Sequence, residues 1–346
     1  SLFQITNDGN NEIINGITDW VYEEEFGFVK AFLWSPDSSK LVFMRFDESK
    51  VPFFSMDIYG EGLYQFPYKF RYPKAGESNS KVSLHIYDLK SKSISNIKFS
   101  DNQEPYYIPR FKFTSDQNLL SVQTINRKQN HLKFHLINLI TEESKVILQE
   151  QSKTYLDVND DFFFLPDNSF LWTSEKSGYN HIYHFDKNGK FISQITKGSW
   201  EVTKIYNYRN KTREIFFGAA KSSSVDRGVY SIKLNSKKIK PITKESGFNG
   251  AIFNRDASKF IHTYSDENTP PKYVIRESKN GALIRKIIDN EFLKNKLSKY
   301  NLPKKDFSTI NLNGQNLNYY IIKPKNFKSS KKYPLLLFQY SGPGSQ

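Results

Sequence analysis

The residues best suited to chemistry in this sequence are three consecutive glutamates, Glu23 to Glu25. They follow Trp20 and Tyr22 in a chain of 346 residues whose formal net charge is +14. Two carboxylates around one ammonium group bind it strongly where water is mostly excluded, because the Coulomb energy grows as the effective dielectric falls. The two aromatic residues would supply that exclusion. On composition alone, a run of glutamates is more often a solvated polar surface, so the sequence indicates either a cation site or an acidic surface.

A short helix is the element predicted to position these glutamates. Asp19 is a good N-cap residue, and carboxylates in a first turn suit the positive end of the helix dipole. Neighbouring residues on a helix point in different directions. Two adjacent glutamates would therefore have to hold a small cationic ligand from either side, close to an end of the helix.

One unit recurs along most of the chain: a short apolar strand, a turn rich in Asp, Ser or Asn, and a second apolar strand. These residues suit turns because their side chains hydrogen-bond to the nearby backbone. From Asp116 onward the turns recur every 43 to 51 residues, and two further strands follow each unit. Four short strands with such a period indicate a β-propeller. The copies cover residues 32–43, 110–122, 162–172, 206–217 and 252–263.

Two segments depart from this repeat. Residues 51–80, which are rich in Gly and Pro, predict a long insertion. After Asp289 the pattern changes to a predicted helix over 291–300, and the apolar run 333–340 predicts a strand buried on both faces, as in an α/β domain. Between them, strands are expected at 307–312 and 317–323.

Composition excludes several classes of function. The chain has no cysteine, so neither disulfides nor thiolate chemistry are possible. Its lysines are scattered without a dense basic block, which argues against nucleic acid as a partner. No apolar run approaches the roughly 20 residues of a membrane-spanning helix.

A metal site or other cofactor is not expected either. Two of the histidines, three residues apart on one predicted strand, face opposite sides, and His131 and His135 share a face only if both lie in one strand. No carboxylate stands at ligand spacing from them. The six histidines are His85, His131, His135, His181, His184 and His262.

Several motifs, taken together in order and rough spacing, resemble the dipeptidyl peptidase IV family, bacterial type, of the prolyl oligopeptidase clan of serine peptidases. The resemblance implies an eight-bladed β-propeller followed by an α/β-hydrolase domain, with the active site in the cavity between them. Residues 1–290 would then be a partial propeller and residues 291–346 the truncated start of the peptidase domain. The motifs are 19–25 (DWVYEEE), 34–36 (WSP), 51–52 (VP), 72–76 (YPKAG), 332–337 (KYPLLL) and 340–343 (YSGP).

The resemblance also implies a role for particular residues. Glu24 and Glu25 would hold the free α-amino group of a peptide, with Glu23 as a structural neighbour. An ammonium group held at one end leaves two residues before the scissile bond, so the family releases N-terminal dipeptides, usually with Pro or Ala second. Tyr340 matches the tyrosine that donates to the oxyanion. The partner implied is a peptide with a free N-terminus.

A nucleophile elbow of the form Gly-x-Ser-x-Gly, which such a hydrolase needs, does not occur in these 346 residues. The family's further substrate-binding arginine would precede Ser1. The sequence is therefore expected to be a fragment that binds without hydrolysing. The alternatives are a non-catalytic propeller acting as an interaction module, an inactive peptidase homologue, or a prolyl tripeptidyl or acylaminoacyl peptidase.

Localisation and assembly rest on the resemblance alone. It implies an exported, periplasmic or membrane-associated protein whose signal is not in this fragment, and a homodimer when full length.

Overall fold

The structure is a computed structural model, and it describes residues 2–100, 106–300 and 302–339. The chain is mainly β and forms two compact units that divide between Lys197 and Gly198. In chain order, the first unit contains β1 (Ile13–Asn15), α1 (Trp20–Glu24), β2 (Phe32–Trp34), β3 (Lys40–Asp47), β4 (Phe53–Ile58), β5 (Phe66–Arg71), β6 (Lys81–Asp88), β7 (Ser93–Asn96), β8 (Tyr107–Phe113), β9 (Leu119–Ile125), β10 (His131–Asn138), β11 (Ser144–Gln151), β12 (Phe162–Phe164), β13 (Phe170–Ser174), β14 (His181–Phe185) and β15 (Phe191–Gln194).

The first sheet has a divided edge. Both β1 and β2 pair antiparallel with β3, and β6 and β7 follow on its other side. The segment between β1 and β2 carries α1. Its base is closed by backbone bonds from Ala31 N to Gly16 O (3.1 Å) and from Gly16 N to Met44 O (2.9 Å). The helix therefore projects from an interrupted strand, while β4 and β5 form a separate hairpin between β3 and β6.

The second and third sheets of this unit each have four strands in unbroken chain order. Their strand orders are β11-β10-β9-β8 and β12-β13-β14-β15. Every residue of β13 and β14 is buried, and the turn before β13 follows its composition, because Asp167 Oδ1 accepts from Ser169 N at 3.0 Å. One aromatic core runs through this unit and includes Tyr22, Phe46, Phe134, Phe170 and Trp172. The burial of these large side chains is the main stabilising term of the sheets.

The second unit contains two further four-stranded antiparallel sheets, β16 to β19 and β20 to β23, and a final hairpin of β24 and β25. Its elements are β16 (Val202–Arg209), a 3-10 helix (Asn210–Thr212), β17 (Glu214–Ala219), β18 (Gly228–Lys233), β19 (Lys240–Pro241), β20 (Phe248–Phe253), β21 (Lys259–Asp266), β22 (Thr269–Glu277), β23 (Leu283–Ile288), α2 (Glu291–Leu297), β24 (Lys305–Leu312) and β25 (Gln315–Ile322).

One predicted strand of the C-terminal segment is wrong for the residues that the structure describes. Residues 333–339 form no strand, and the side chains of Leu335 to Phe338 are 80% to 92% exposed. A strand needs a neighbour for its backbone N–H and C=O groups, and no described segment pairs with this one. The helix predicted over 291–300 and the two strands after it are confirmed, although α2 ends at Leu297. The domain boundary after residue 290 stays a prediction.

Candidate functional site

The N-terminal end of α1 is fixed by Asp19. This residue has extended backbone, and its Oδ1 accepts from Tyr22 N at 3.0 Å, which confirms the predicted N-cap. Its Oδ2 accepts from Ser80 Oγ at 2.5 Å, so the residue just before β6 also holds the cap. Burial raises the pKa of Asp19. The helix of five residues is thus anchored where it begins.

Tyr22 holds the middle of α1 in the core. Its side chain is 1% exposed, and its ring meets those of Phe26 and Phe46 edge-on at centroid distances of 4.9 and 5.0 Å. Its hydroxyl accepts from Ile108 N at 2.8 Å, and burial raises its pKa well above the usual value. The expectation that Tyr22 would shield a ligand from water is therefore wrong, because its ring packs inward and its hydroxyl is already bound.

Trp20 is the aromatic residue that remains near the surface of α1. It is partly buried, and its ring centroid lies 4.2 Å from that of Tyr72. Tyr72 itself is held by a bond from its N–H to Pro52 O at 2.9 Å. The structure thus brings together three motif segments that are far apart in the sequence, those at 19–25, 51–52 and 72–76.

The three glutamates lie at the C-terminal end of α1. Glu24 is the last helical residue and Glu25 is the C-cap, whose N–H donates to Val21 O at 2.8 Å. Glu23, Glu24 and Glu25 are all exposed. Within the described ranges, none of them forms an ion pair with a lysine or arginine of the chain. Their carboxylates are therefore free to bind an external cation.

The loop before β12 approaches Glu25. Burial raises the pKa of Tyr155, and the negative charges of Asp157 and Glu25 raise it further. The Tyr155 hydroxyl donates to Gln129 Oε1 at 3.0 Å. The Tyr155 side chain thus lies within electrostatic reach of both the Glu25 and the Asp157 carboxylates.

Arg110 secures the backbone just after the glutamates. Its Nη1 donates to Phe26 O at 2.8 Å, and its Nη2 donates to Asp160 Oδ2 at 2.9 Å. A second bond joins Arg110 Nε to Asp160 Oδ1. This contact cannot be read from the sequence, because Arg110 is 84 residues from Phe26 and carries no local motif.

A further residue that local sequence did not indicate is Glu48, a buried carboxyl whose pKa responds to the charge of the N-cap residue Asp19. Glu48 is 7% exposed, and its pKa is raised to about 7, first by burial and then by the charge of Asp19. The positive charge of Arg71 opposes this shift. Arg71 is shared, since its Nη2 bonds to Glu12 Oε1 at 2.9 Å and its Nη1 to Val51 O at 2.7 Å.

Tyr340, the other predicted site residue, lies outside the described residues. The histidines are dispersed among polar neighbours, for example His184 with Ser169 Oγ (3.0 Å) and His131 with Gln149 Oε1 (2.9 Å). In residues 2–100, 106–300 and 302–339 there is no group of three or more His, Cys, Asp or Glu side chains placed to hold a metal ion. The pair Glu24 and Glu25, with the residues that hold its helix, therefore stays the predicted site.

Comparison with known proteins places this fold in a class. The antiparallel four-stranded sheets resemble those of a propeller-like N-terminal region. The chain belongs to the family described as the dipeptidyl peptidase IV (DPP IV) N-terminal region, whose model matches residues 1–271. This confirms the resemblance drawn from the motifs.

Several similar proteins are named dipeptidyl peptidase 4. A dipeptidyl peptidase 4 of Trichophyton rubrum is 31% identical over 365 residues, which cover 99% of this chain and 46% of the relative. One of Trichophyton equinum is 31% identical over 363 residues, with the same coverage. The crystal structure of Porphyromonas gingivalis dipeptidyl peptidase 4 matches with a TM-score of 0.89 and 36% identity, over 96% of this chain and 47% of that chain.

This chain spans about half the length of the curated relatives it matches. None of the helices in its described part is long and apolar enough to cross a membrane.

Proposed function

We propose that the protein containing this chain is a serine exopeptidase that releases N-terminal dipeptides of the type Xaa-Pro or Xaa-Ala. The observation that carries the proposal is the pair Glu24 and Glu25, adjacent and exposed at the end of a helix whose other side is held in the core. The family membership and the similarity to dipeptidyl peptidases support it.

The chemistry follows from the amine. Glu24 and Glu25 bind the substrate ammonium group through charge-assisted hydrogen bonds, which are stronger than neutral ones. The bound amine sets the distance to the scissile bond, so the product is two residues long. Tyr340 donates to the negative oxygen that develops in the transition state, a contribution of roughly 3 kcal/mol in such sites. These 346 residues hold no Gly-x-Ser-x-Gly segment, so the proposal assigns the nucleophile to a part of the protein outside them.

The test is an assay of the full-length protein on a Gly-Pro chromogenic amide, with and without a serine-directed phosphonate. Cleavage that the phosphonate blocks is the expected result. Cleavage that resists the phosphonate would contradict the serine mechanism, and release of tripeptides or of acylated residues from longer peptides would favour the tripeptidyl or acylaminoacyl alternative.

A non-catalytic propeller is the second candidate, because the exposed Glu24 and Glu25 could bind a peptide amine without cleavage of the peptide. A folded full-length protein that cleaves nothing and has no elbow would establish it, with the Glu pair as a receptor for a peptide amine. Export to the periplasm and dimerisation of the full-length protein belong to the proposal as well. Cell fractionation and light scattering test these two points.

A further inference from the structure

We propose that Arg110 is a positioning residue for the amine-binding pair Glu24 and Glu25. This role rests on the proposed function. Arg110 lies on β8, in the second sheet of the first unit, whereas the glutamates lie on the segment that interrupts the first sheet. Arg110 acts through the backbone of Phe26, the residue after Glu25, and not through a bond to either carboxylate.

The short helix needs such external support. A helix of five residues is far below the roughly 12 to 15 residues that are marginally stable alone in water. The backbone C=O groups at its end also have no partner within the helix. Asp19 and Tyr22 hold its N-terminal half, and the bond from Arg110 Nη1 to Phe26 O holds the chain as it leaves Glu25. Both ends of the Glu-bearing turn are thus fixed to neighbouring strands.

The guanidinium group suits this position because it is a planar fork with several donors. One edge of Arg110 bonds to both carboxylate oxygens of Asp160, and Nη1 remains free to donate to Phe26 O and Pro109 O. The Arg110 Cζ atom also lies 5.7 Å from the ring centroid of Phe28. A lysine is a single point donor and cannot make these bonds together. Arg110 therefore joins the Glu-bearing turn to the segment that precedes β12.

Asp160 neutralises the charge of Arg110 through two hydrogen bonds. An unneutralised arginine near Glu24 and Glu25 would compete with the substrate ammonium for their charge. The bidentate pair with Asp160 occupies Arg110, since such pairs fix geometry as well as charge. The arrangement holds the turn without blocking the carboxylates.

The experiment compares Arg110→Lys and Asp160→Asn in the full-length protein with the matched control Arg45→Lys. Arg45 lies on β3 of the first sheet and pairs with Asp8 (Nε to Oδ2, 2.7 Å), and it has a similar exposure of 28% against 26% for Arg110. The readouts are KM and kcat on a Gly-Pro amide, inactivation by a serine-directed phosphonate that lacks an amine, and hydrogen exchange of residues 19–28.

Arg110→Lys is expected to raise KM about tenfold, the effect of losing one charge-assisted hydrogen bond. The kcat value and the phosphonate rate stay within twofold, because amine binding is the same in the ground and transition states. Exchange in residues 19–28 becomes faster. Asp160→Asn is expected to raise KM in the same direction, and Arg45→Lys changes none of these values more than twofold.

An unchanged KM in both Arg110→Lys and Asp160→Asn, with an active wild type, would overturn the positioning role. If Arg110→Lys folds poorly, Asp160→Asn decides, because it leaves the arginine in place. If the wild type cleaves no amide, the proposed function fails separately, and unchanged exchange in residues 19–28 would then overturn the role of Arg110 in holding the turn.

Discussion

The first and third sheets of the first unit are two versions of one repeat. The third sheet, β12 to β15, runs in strict chain order, and its two central strands are completely buried. In the first sheet, α1 divides the edge strand, and the hairpin of β4 and β5 is inserted in the chain between β3 and β6, which still pair with each other. The central strands of the third sheet are packed in the core, whereas the interrupted first sheet carries Glu24 and Glu25 on the segment that divides its edge. Departures from a local rule of this kind are expected at functional sites.

The largest effect is expected from changing the pair itself. Glu24→Gln with Glu25→Gln removes both charges from the proposed ammonium site, and hydrogen bonds to charged groups contribute about 1.5 to 3 kcal/mol each. We expect kcat/KM on Gly-Pro amides to fall more than about a hundredfold, with Tm nearly unchanged because both side chains are exposed. Glu175→Gln, an exposed change in the turn after β13, is the control. Normal turnover in the double variant would remove the amine-site assignment.

Two core truncations separate packing from positioning. Phe170 in the third sheet and Phe46 in the first are both 0% exposed, so each change to Ala is expected to lower the free energy of unfolding by about 3 to 5 kcal/mol. Of these two residues, Phe46 packs on Tyr22 and Phe170 does not. Phe46→Ala should therefore also raise KM at a temperature where both variants are folded. Equal KM values for the two variants would show that the packing of Phe46 on Tyr22 does not affect substrate binding.

The next effect concerns pH. Glu48 has its pKa raised from 4.5 to about 7 in the folded protein, so between these values the folded state holds the extra proton. Its contribution to stability is therefore present at low pH and is lost as pH rises through 7. Relative to wild type, Glu48→Gln should gain up to about 3 kcal/mol in unfolding free energy between pH 4.5 and pH 8.

Chemical denaturation at several pH values measures this difference for Glu48→Gln. The control is Glu61→Gln, which is exposed in the loop between β4 and β5. A difference that does not vary with pH, or that varies in the opposite direction, would show that Glu48 is not held protonated in the folded state.

The smallest effect, on the free energy of unfolding, is expected from removing single hydroxyl groups. Tyr22→Phe leaves the buried Ile108 N–H without its acceptor, which costs about 1 to 2 kcal/mol. In the third sheet, the Tyr183 hydroxyl donates to Ser177 Oγ at 2.8 Å, and Ser177 is exposed and can bond to water instead. Tyr183→Phe should therefore cost less than Tyr22→Phe in a denaturation experiment. The reverse order would contradict the anchoring role of Tyr22.

Local chemistry in the sequence was sufficient for part of this account. The N-cap at Asp19, the turn at Asp167 and the strands around it depend on residues close together in the chain, so composition and spacing predict them. The strand expected at 333–340 failed because apolar character alone does not supply a pairing partner.

Long-range contacts could not be predicted in the same way. The bond from Tyr22 to Ile108 joins residues 86 apart, and the pair of Arg110 and Asp160 joins residues 50 apart. The raised pKa of Glu48 depends on burial and on the charge of Asp19, and neither can be read from its neighbours in the chain. The glutamates could be found because their type and adjacency are unusual, whereas their supports are ordinary residues.

The most direct test of the central claim is a comparison of two substrates. The full-length protein and its Glu24→Gln, Glu25→Gln variant are assayed on a Gly-Pro amide with a free amine and on the same amide with an acetylated amine. If Glu24 and Glu25 bind the ammonium group, acetylation and the double substitution each lower kcat/KM, and acetylation has little further effect in the variant. Equal cleavage of the free and acetylated amides by the wild type would contradict the account.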